Sequence, residues 1–334
     1  MKKFFFFIAL FLPFVNLSAQ KSWTADNGNG TYTNPLFYDE FSDPDIIRVG
    51  NDFYLAGTTM HCVPGVVVLH SKDLVNWRFL SYTFERFNQG PDFNLENGKD
   101  AYGQGVWAPC IRYHNGTFYV FSNINGYGLQ VFISKNPAGP WKHINMGGNI
   151  HDLSVLFDDN GKIYAVYGYD EVKIIEIKPD FSGYVEGSEK VIIHHGSAMG
   201  EGHHIYKIKG KYYIISADYS PMGRMQCARA EHLEGPYETI VICAEEGLEL
   251  HVHGVLIIYR KDSLFLKMDL NLKYQYRLQT VSVVPLFIKE ALLSFLMAIG
   301  GASLCLISCR KDEQPVYPRL RGKTVGLTLD FQET

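Results

Sequence analysis

The chain is short of the features that announce most functional classes. Its 334 residues hold only six cysteines, Cys62, Cys110, Cys227, Cys243, Cys305 and Cys309. Their spacings match neither a disulfide scaffold nor a zinc ligand set. The first four read as individual buried thiols, and none stands in the setting of a nucleophile. An excess of one charge is lacking too. Lys and Arg number 31 against 35 Asp and Glu, for a net charge of −4, so no basic patch points to nucleic acid. Before residue 285 no helical period of 3.6 competes seriously with other patterns.

Aromatic residues, by contrast, are abundant: 21 Tyr, 22 Phe and 4 Trp make up 14% of the chain. Aromatics suit half-buried strands, and exposed ones stack on sugar rings. The opening "MKKFFFFIALFLPFVNLSAQ" sets Lys2 and Lys3 before an apolar run that ends in the small residues Ser18 and Ala19. That pattern predicts a secretory signal peptide over residues 1–19 and an exported protein, periplasmic or extracellular. With no cysteine near the cut, lipoprotein anchoring is not indicated.

Five segments share one layout: "DPDIIRVGNDFYL" from Asp43, "APCIRYHNGTFYV" from Ala108, "DLSVLFDDNGKIYAV" from Asp152, "EGHHIYKIKGKYYII" from Glu201 and "HGVLIIYRKDSLFLK" from His253. Each has a small or polar opener, an alternating apolar strand, a turn and an aromatic-rich strand. From opener to matching aromatic the distance is 11, 11, 12, 12 and 12 residues. "VGND", "HNGT", "DNGK" and "IKGK" supply Gly or Asn for hairpin turns, whereas the fifth turn, "RKDS", is weaker. A second strand pair follows each of the first four. Four-stranded units recurring every 44 to 65 residues predict an all-β, five-bladed β-propeller over residues 30–268, with an incomplete or aberrant fifth blade. In that geometry the openers ring one end of a central channel, where Asp43, Asp152, Glu201 and His253 converge.

"SDPDIIRVGNDFYL", "VWAPCIRYHNGTFYVF", "HDLSVLFDDNGKIYAV" and "GEGHHIYKIKGKYYI" together resemble the signature of glycoside hydrolase family 43, five-bladed enzymes acting on arabinosides and xylosides. The resemblance covers residues 34 to about 260. It implies an inverting glycosidase acting on α-L-arabinofuranosidic or β-D-xylosidic bonds of plant polysaccharide, with arabinose- or xylose-containing saccharides as partners. Carried over motif by motif, Asp43 is the general base, Glu201 the general acid, and Asp152 tunes and orients the acid. Inversion needs a base to activate water and an acid for the leaving oxygen, roughly 6.5–9.5 Å apart. A second carboxylate near the acid helps keep it protonated.

Each of these residues also has a structural explanation. Asp43 before Pro44 could shape a turn, and Asp152 could cap the strand entry. Asp45, on the same strand face as Asp43, is a decoy for the base. Trp107 heads the second opener, where its ring could stack on substrate or pack in the core. His253, or His251 two residues earlier, matches a channel histidine that relatives place beside a cation, often calcium. The reaction itself requires no cofactor. His203 and His204 read as structural, and "FDDNG" (Phe157–Gly161) as a hairpin turn lacking calcium-loop spacing.

Past about residue 258 the pattern deteriorates. "ALLSFLMAIGGASLCLISC" (Ala291–Cys309) runs 19 residues without charge, long enough to span a bilayer. Residues 269–334 form an atypical tail. It reads as the product of a frame shifted near codon 255–260; a membrane anchor and an atypical last blade are the other readings. An inactive or non-catalytic carbohydrate-binding propeller is therefore the alternative function.

Overall fold

The computed structural model describes residues 24–33, 36, 43–59, 64–88, 90–197, 199–218 and 224–244, and beyond these only the backbone of short strands. Strand β1 (Thr31–Thr33) precedes four antiparallel sheets of four strands, each built from consecutive chain. The first sheet holds β2 (Asp45–Val49), β3 (Asp52–Gly57), β4 (Gly65–Ser71) and β5 (Trp77–Phe84). The second holds β6 (Val106–His114), β7 (Thr117–Ile124), β8 (Gly128–Ser134) and β9 (Lys142–Gly147). The third holds β10 (Ser154–Phe157), β11 (Ile163–Tyr169), β12 (Glu171–Ile177) and β13 (Lys190–Ile193). The fourth holds β14 (Glu201–Ile208), β15 (Lys211–Asp218), β16 (Arg224–Ala230) and β17 (Glu238–Ala244). These are four blades of an all-β propeller arrangement.

Turn chemistry sets the hairpins. His114 faces Thr117 and Ile208 faces Lys211, so each turn has two residues. Asn115 and Gly116 have φ of 48° and 75°, and Lys209 and Gly210 have 51° and 81°. Positive φ at both central positions is the two-residue turn whose twist matches that of the flanking strands. The "FDDNG" segment is likewise a hairpin turn. Asp158 there is buried, accepting from Lys207 Nζ at 2.6 Å and from Tyr212 Oη at 3.0 Å.

The core lies between blades, because alternate residues of a strand face opposite neighbours. On β7, Val120 packs toward the first blade with Ala56, Val66 and Val68, whereas Phe121 packs toward the third with Val155 and Ala165. On β11, Val166 turns to the fourth blade, against Ile205 and Ile214. At roughly 1.5–3 kcal/mol per fully buried large apolar side chain, this alternation is what holds blade to blade.

A polar chain crosses the same strands near the axis. Asp45, 1% exposed, accepts from the Ile46 and Ile111 amides, each at 2.9 Å, and from Arg112. Arg112 also donates to the Val155 carbonyl and to Ser154 Oγ, each at 2.6 Å, and that hydroxyl accepts from the Ile205 amide at 3.1 Å. One carboxylate and one guanidinium thus link the first strands of all four blades. Asp45 is a structural hub, which explains an aspartate on that strand face without chemistry.

Farther on lie β18 (Leu250–His251), β19 (Val255–Arg260), β20 (Ser263–Met268), β21 (Asn271–Leu272) and β22 (Val316–Pro318). β19 and β20 pair with Arg260 opposite Ser263, so the hairpin expected around "RKDS" is present. β18 pairs with β21, and β22 with β1. Residues 1–19, His253, and the apolar run 291–309 fall outside the described residues. Among the described residues no helix is long and apolar enough to cross a membrane.

Candidate active site

The blade registers show how the openers correspond. Ile47 faces Tyr54, Arg112 faces Tyr119, Leu156 faces Tyr164 and Tyr206 faces Tyr213. Counting back equally from Ile47, Arg112, Leu156 and Tyr206 reaches Asp43, Ala108, Asp152 and Gly202. All four have left-handed backbone, with φ of 48°, 33°, 47° and 67°. Only glycine adopts this freely, and aspartate tolerates it better than most other residues. For other residues it costs on the order of 1–3 kcal/mol and persists where the surroundings hold it, as at functional sites. The Ala108 amide, for instance, is held by Thr58 Oγ1 at 3.1 Å.

This alignment corrects one expectation. Glu201 does not share the repeat position of Asp43 and Asp152; Gly202 does. Glu201 stands one residue earlier, with Trp107 and His151. A bulge after Trp107 and another after Glu201 take up the extra residue, and such bulges re-aim the side chains around them. Sequence spacing could not separate these positions, because the third blade's turn is one residue longer than the others.

The structure brings Asp152 and Glu201 together around a residue that the motif comparison passed over. His151 Nε2 lies 2.6 Å from Glu201 Oε2 and 3.7 Å from Asp152 Oδ2. Its imidazole is about half exposed, and its pKa is raised above the usual histidine value. The hydrogen bond to Glu201 is the largest cause; burial opposes it, and the charges of Asp152, Glu201 and Asp43 add to it. Asp43, from the first blade, therefore belongs to the same electrostatic neighbourhood. His151 was legible in principle, since it precedes Asp152 in "HDLSVLF" as Trp107 precedes Ala108.

Trp107 is partly buried at the corresponding point of the second blade, its carbonyl accepting from Ser122 Oγ at 2.8 Å. Its indole Nε1 is buried without a hydrogen-bond partner among the described residues. His203 and His204, read as structural, are both buried, and the Nε2 of His203 has no hydrogen-bond partner among the described residues. His203 bonds Ser216 Oγ at 2.6 Å, and burial pushes its pKa down to about 3. His204 lies buried, its Nδ1 3.5 Å from Asp45 Oδ1. Cys110 and Cys227 are free and buried, each thiol pushed up to about 12 by burial.

Among the described residues, the group able to hold a metal ion is His151, Asp152 and Glu201, whose donor atoms lie within 4.8 Å of one another. One imidazole and two carboxylates suit zinc-like ions better than calcium, which takes six to eight oxygens. The calcium expected beside His253 falls outside the described residues.

The family model described as glycosyl hydrolases family 43 matches residues 32–241. The non-reducing end alpha-L-arabinofuranosidase BoGH43B of Bacteroides ovatus is 39% identical over 217 residues, covering 62% of this chain and 40% of that protein. A beta-xylosidase of Formosa agariphila is 33% identical over 224 residues, covering 61% and 36% respectively. Among solved structures, a bifunctional GH43-CE protein of Bacteroides eggerthii superposes with a TM-score of 0.65 at 34% identity, covering 72% of this chain and 32% of that one. A GH43 protein from Bacillus licheniformis gives a TM-score of 0.65 at 26% identity, covering 88% and 60%. The chain spans about 40% of the length of the curated relatives it matches.

Proposed function

The chain belongs to glycosyl hydrolases family 43, and from that premise we propose that it is an exported, inverting glycosidase cleaving α-L-arabinofuranosidic or β-D-xylosidic bonds. The observation that carries the proposal is the convergence of Asp152 and Glu201 on one imidazole that also feels the charge of Asp43. Three carboxylates from three blades at one end of a propeller suit acid–base hydrolysis. The arabinofuranosidase and beta-xylosidase named among the relatives supply the two sugar classes. The leader-like opening of the chain fits export, and β19 lying beside β2 fits closure of the ring by a fifth unit.

In this reading Asp43 takes a proton from water as the water oxygen attacks the anomeric carbon. The bond from that carbon to the glycosidic oxygen breaks, and Glu201 gives its proton to the departing oxygen. Asp152 stands beside Glu201 to orient it, and its charge helps to keep the proton that Glu201 delivers on the pair formed by Glu201 Oε2 and His151 Nε2, 2.6 Å apart. Trp107 borders the pocket as a platform for the sugar ring. No step needs a metal.

The test compares leaving groups. Loss of a general acid or base costs about 10²–10⁴-fold. Glu201→Ala is expected to keep more activity on an activated aryl glycoside, which needs little protonation, than on xylan or arabinan. Asp43→Ala is expected to lose both, because water must be activated whatever departs. Equal losses on the two substrate types in Glu201→Ala would remove Glu201 from the acid role.

A further inference from the structure

Exposed aromatic rings are normal when scattered singly, so one of them means something only where its surroundings do. Phe79 and Tyr82 pack on each other along β5, and Tyr113 packs on Phe118. Tyr169 is different. It is 60% exposed at the end of β11, and no other ring packs against it among the described residues. The backbone on either side of it is fixed to the catalytic segments. The Gly168 amide donates to the His151 carbonyl at 3.2 Å, and the Asp170 amide donates to the Gly200 carbonyl at 2.7 Å. The tip carrying Tyr169 is thus stapled to the residue before Asp152 and to the residue before Glu201.

The tip is rigid for further reasons. Gly168 has a φ of 129°, and a Cβ there would meet the Glu171 carbonyl oxygen at 2.2 Å. Asp170 carries a left-handed φ of 60° and bonds His195 Nδ1 at 3.0 Å, with the Gly196 amide beyond. His195 Nε2 lies 3.5 Å from Glu171 Oε2, and the ring is 70% exposed. An exposed aromatic ring therefore stands next to exposed polar groups, on backbone hydrogen-bonded to the residues that precede Asp152 and Glu201.

Direction follows from the chemistry. A general acid delivers its proton to the glycosidic oxygen, and the leaving sugar is bonded to that oxygen. The leaving sugar must lie on the acid's side. We propose that Tyr169, with His195 beside it, forms the subsite for the leaving-group sugar, the tyrosine ring stacking on the sugar's C–H face and the imidazole bonding a hydroxyl. This inference rests on the glycosidase reading above.

The test separates the two ideas by using a substrate that has no leaving sugar. Wild type, Tyr169→Ala and Tyr169→Phe are compared on an arabino- or xylo-oligosaccharide and on the matching glycosyl fluoride. An aromatic contact is worth enough to change affinity about threefold to tenfold. Tyr169→Ala is expected to lose about that factor in kcat/KM on the oligosaccharide, mainly through KM, and to keep its rate on the fluoride. Tyr169→Phe is expected to restore the oligosaccharide value. Equal losses on both substrates, or no loss on the oligosaccharide, would overturn the subsite. A wild-type protein inert toward both would instead overturn the glycosidase reading, and the subsite would fall with it.

Discussion

Replacing Asp45 with alanine should destabilise the propeller severely, although Asp45 takes no part in the proposed chemistry. Its carboxylate is buried, and it satisfies the Ile46 and Ile111 amides and the Arg112 guanidinium together. The Arg112 side chain is itself only 14% exposed. Removing one partner of such a pair leaves a buried charge without compensation, at about 3–5 kcal/mol. Each orphaned amide is worth on the order of 1–3 kcal/mol, and these contributions overlap because the groups share one acceptor. A net loss of about 4 kcal/mol is a large part of the roughly 5–15 kcal/mol that holds a domain folded. Equilibrium urea unfolding of the full chain, followed by tryptophan fluorescence, would measure it. Combined with Arg112→Ala in a double-mutant cycle, the double variant should lose clearly less than the sum of the two singles. Asp43→Asn should leave the unfolding midpoint near that of wild type. A loss below about 1 kcal/mol for Asp45→Ala, or simple additivity in the cycle, would refute the hub.

His151, at the third-blade entrance, and His203, at the fourth, should depart from the ordinary histidine value in opposite senses. By NMR, His151 should titrate above the ordinary histidine value, and Glu201→Gln should bring it back down, since Glu201 is the largest cause of the rise. A raised folded-state pKa means that this bond stabilises fully below pH about 6.5 and is lost as the pH climbs through the folded value. Glu201→Gln leaving the His151 titration unmoved would contradict the contact. His203, pushed down to about 3, behaves oppositely. The unfolded chain binds a proton that the fold refuses, so stability should fall as the pH drops from about 6.5 toward 3, by on the order of a few kcal/mol in total. His203→Gln should flatten that acid slope in urea titrations, and an unchanged slope would place the acid sensitivity elsewhere.

Much of the architecture was legible because blades repeat. Alternation in "CIRYHNGTFYVF" gives strand, turn and strand, and Asn115–Gly116 can hardly form anything but a tight hairpin turn. The same repetition marked Asp43 and Asp152 as matching openers. Asp45 and Arg112 were less legible. Two charged residues on separate strands carry no local sign that they pair, because burial and pairing are properties of the assembled ring. The one-residue offset of Glu201 was hidden for a related reason. A bulge leaves the composition unchanged and alters only the register, so an opener chosen by counting from an aromatic can slip by one. His151 escaped because its meaning lies in what faces it across a blade boundary. Of the fifth unit, the described residues include the β19–β20 hairpin, and the segments around His253 and 291–309 lie outside them.

The most direct test of the account concerns the stereochemistry of the product. Proton NMR during early hydrolysis would show which anomer appears first, before mutarotation mixes the two. With Asp43 activating water on the face opposite the leaving group, an α-L-arabinofuranoside should first give β-arabinose, and a β-D-xyloside should first give α-xylose. First appearance of the retained anomer would contradict the assignment of Asp43 as base and Glu201 as acid.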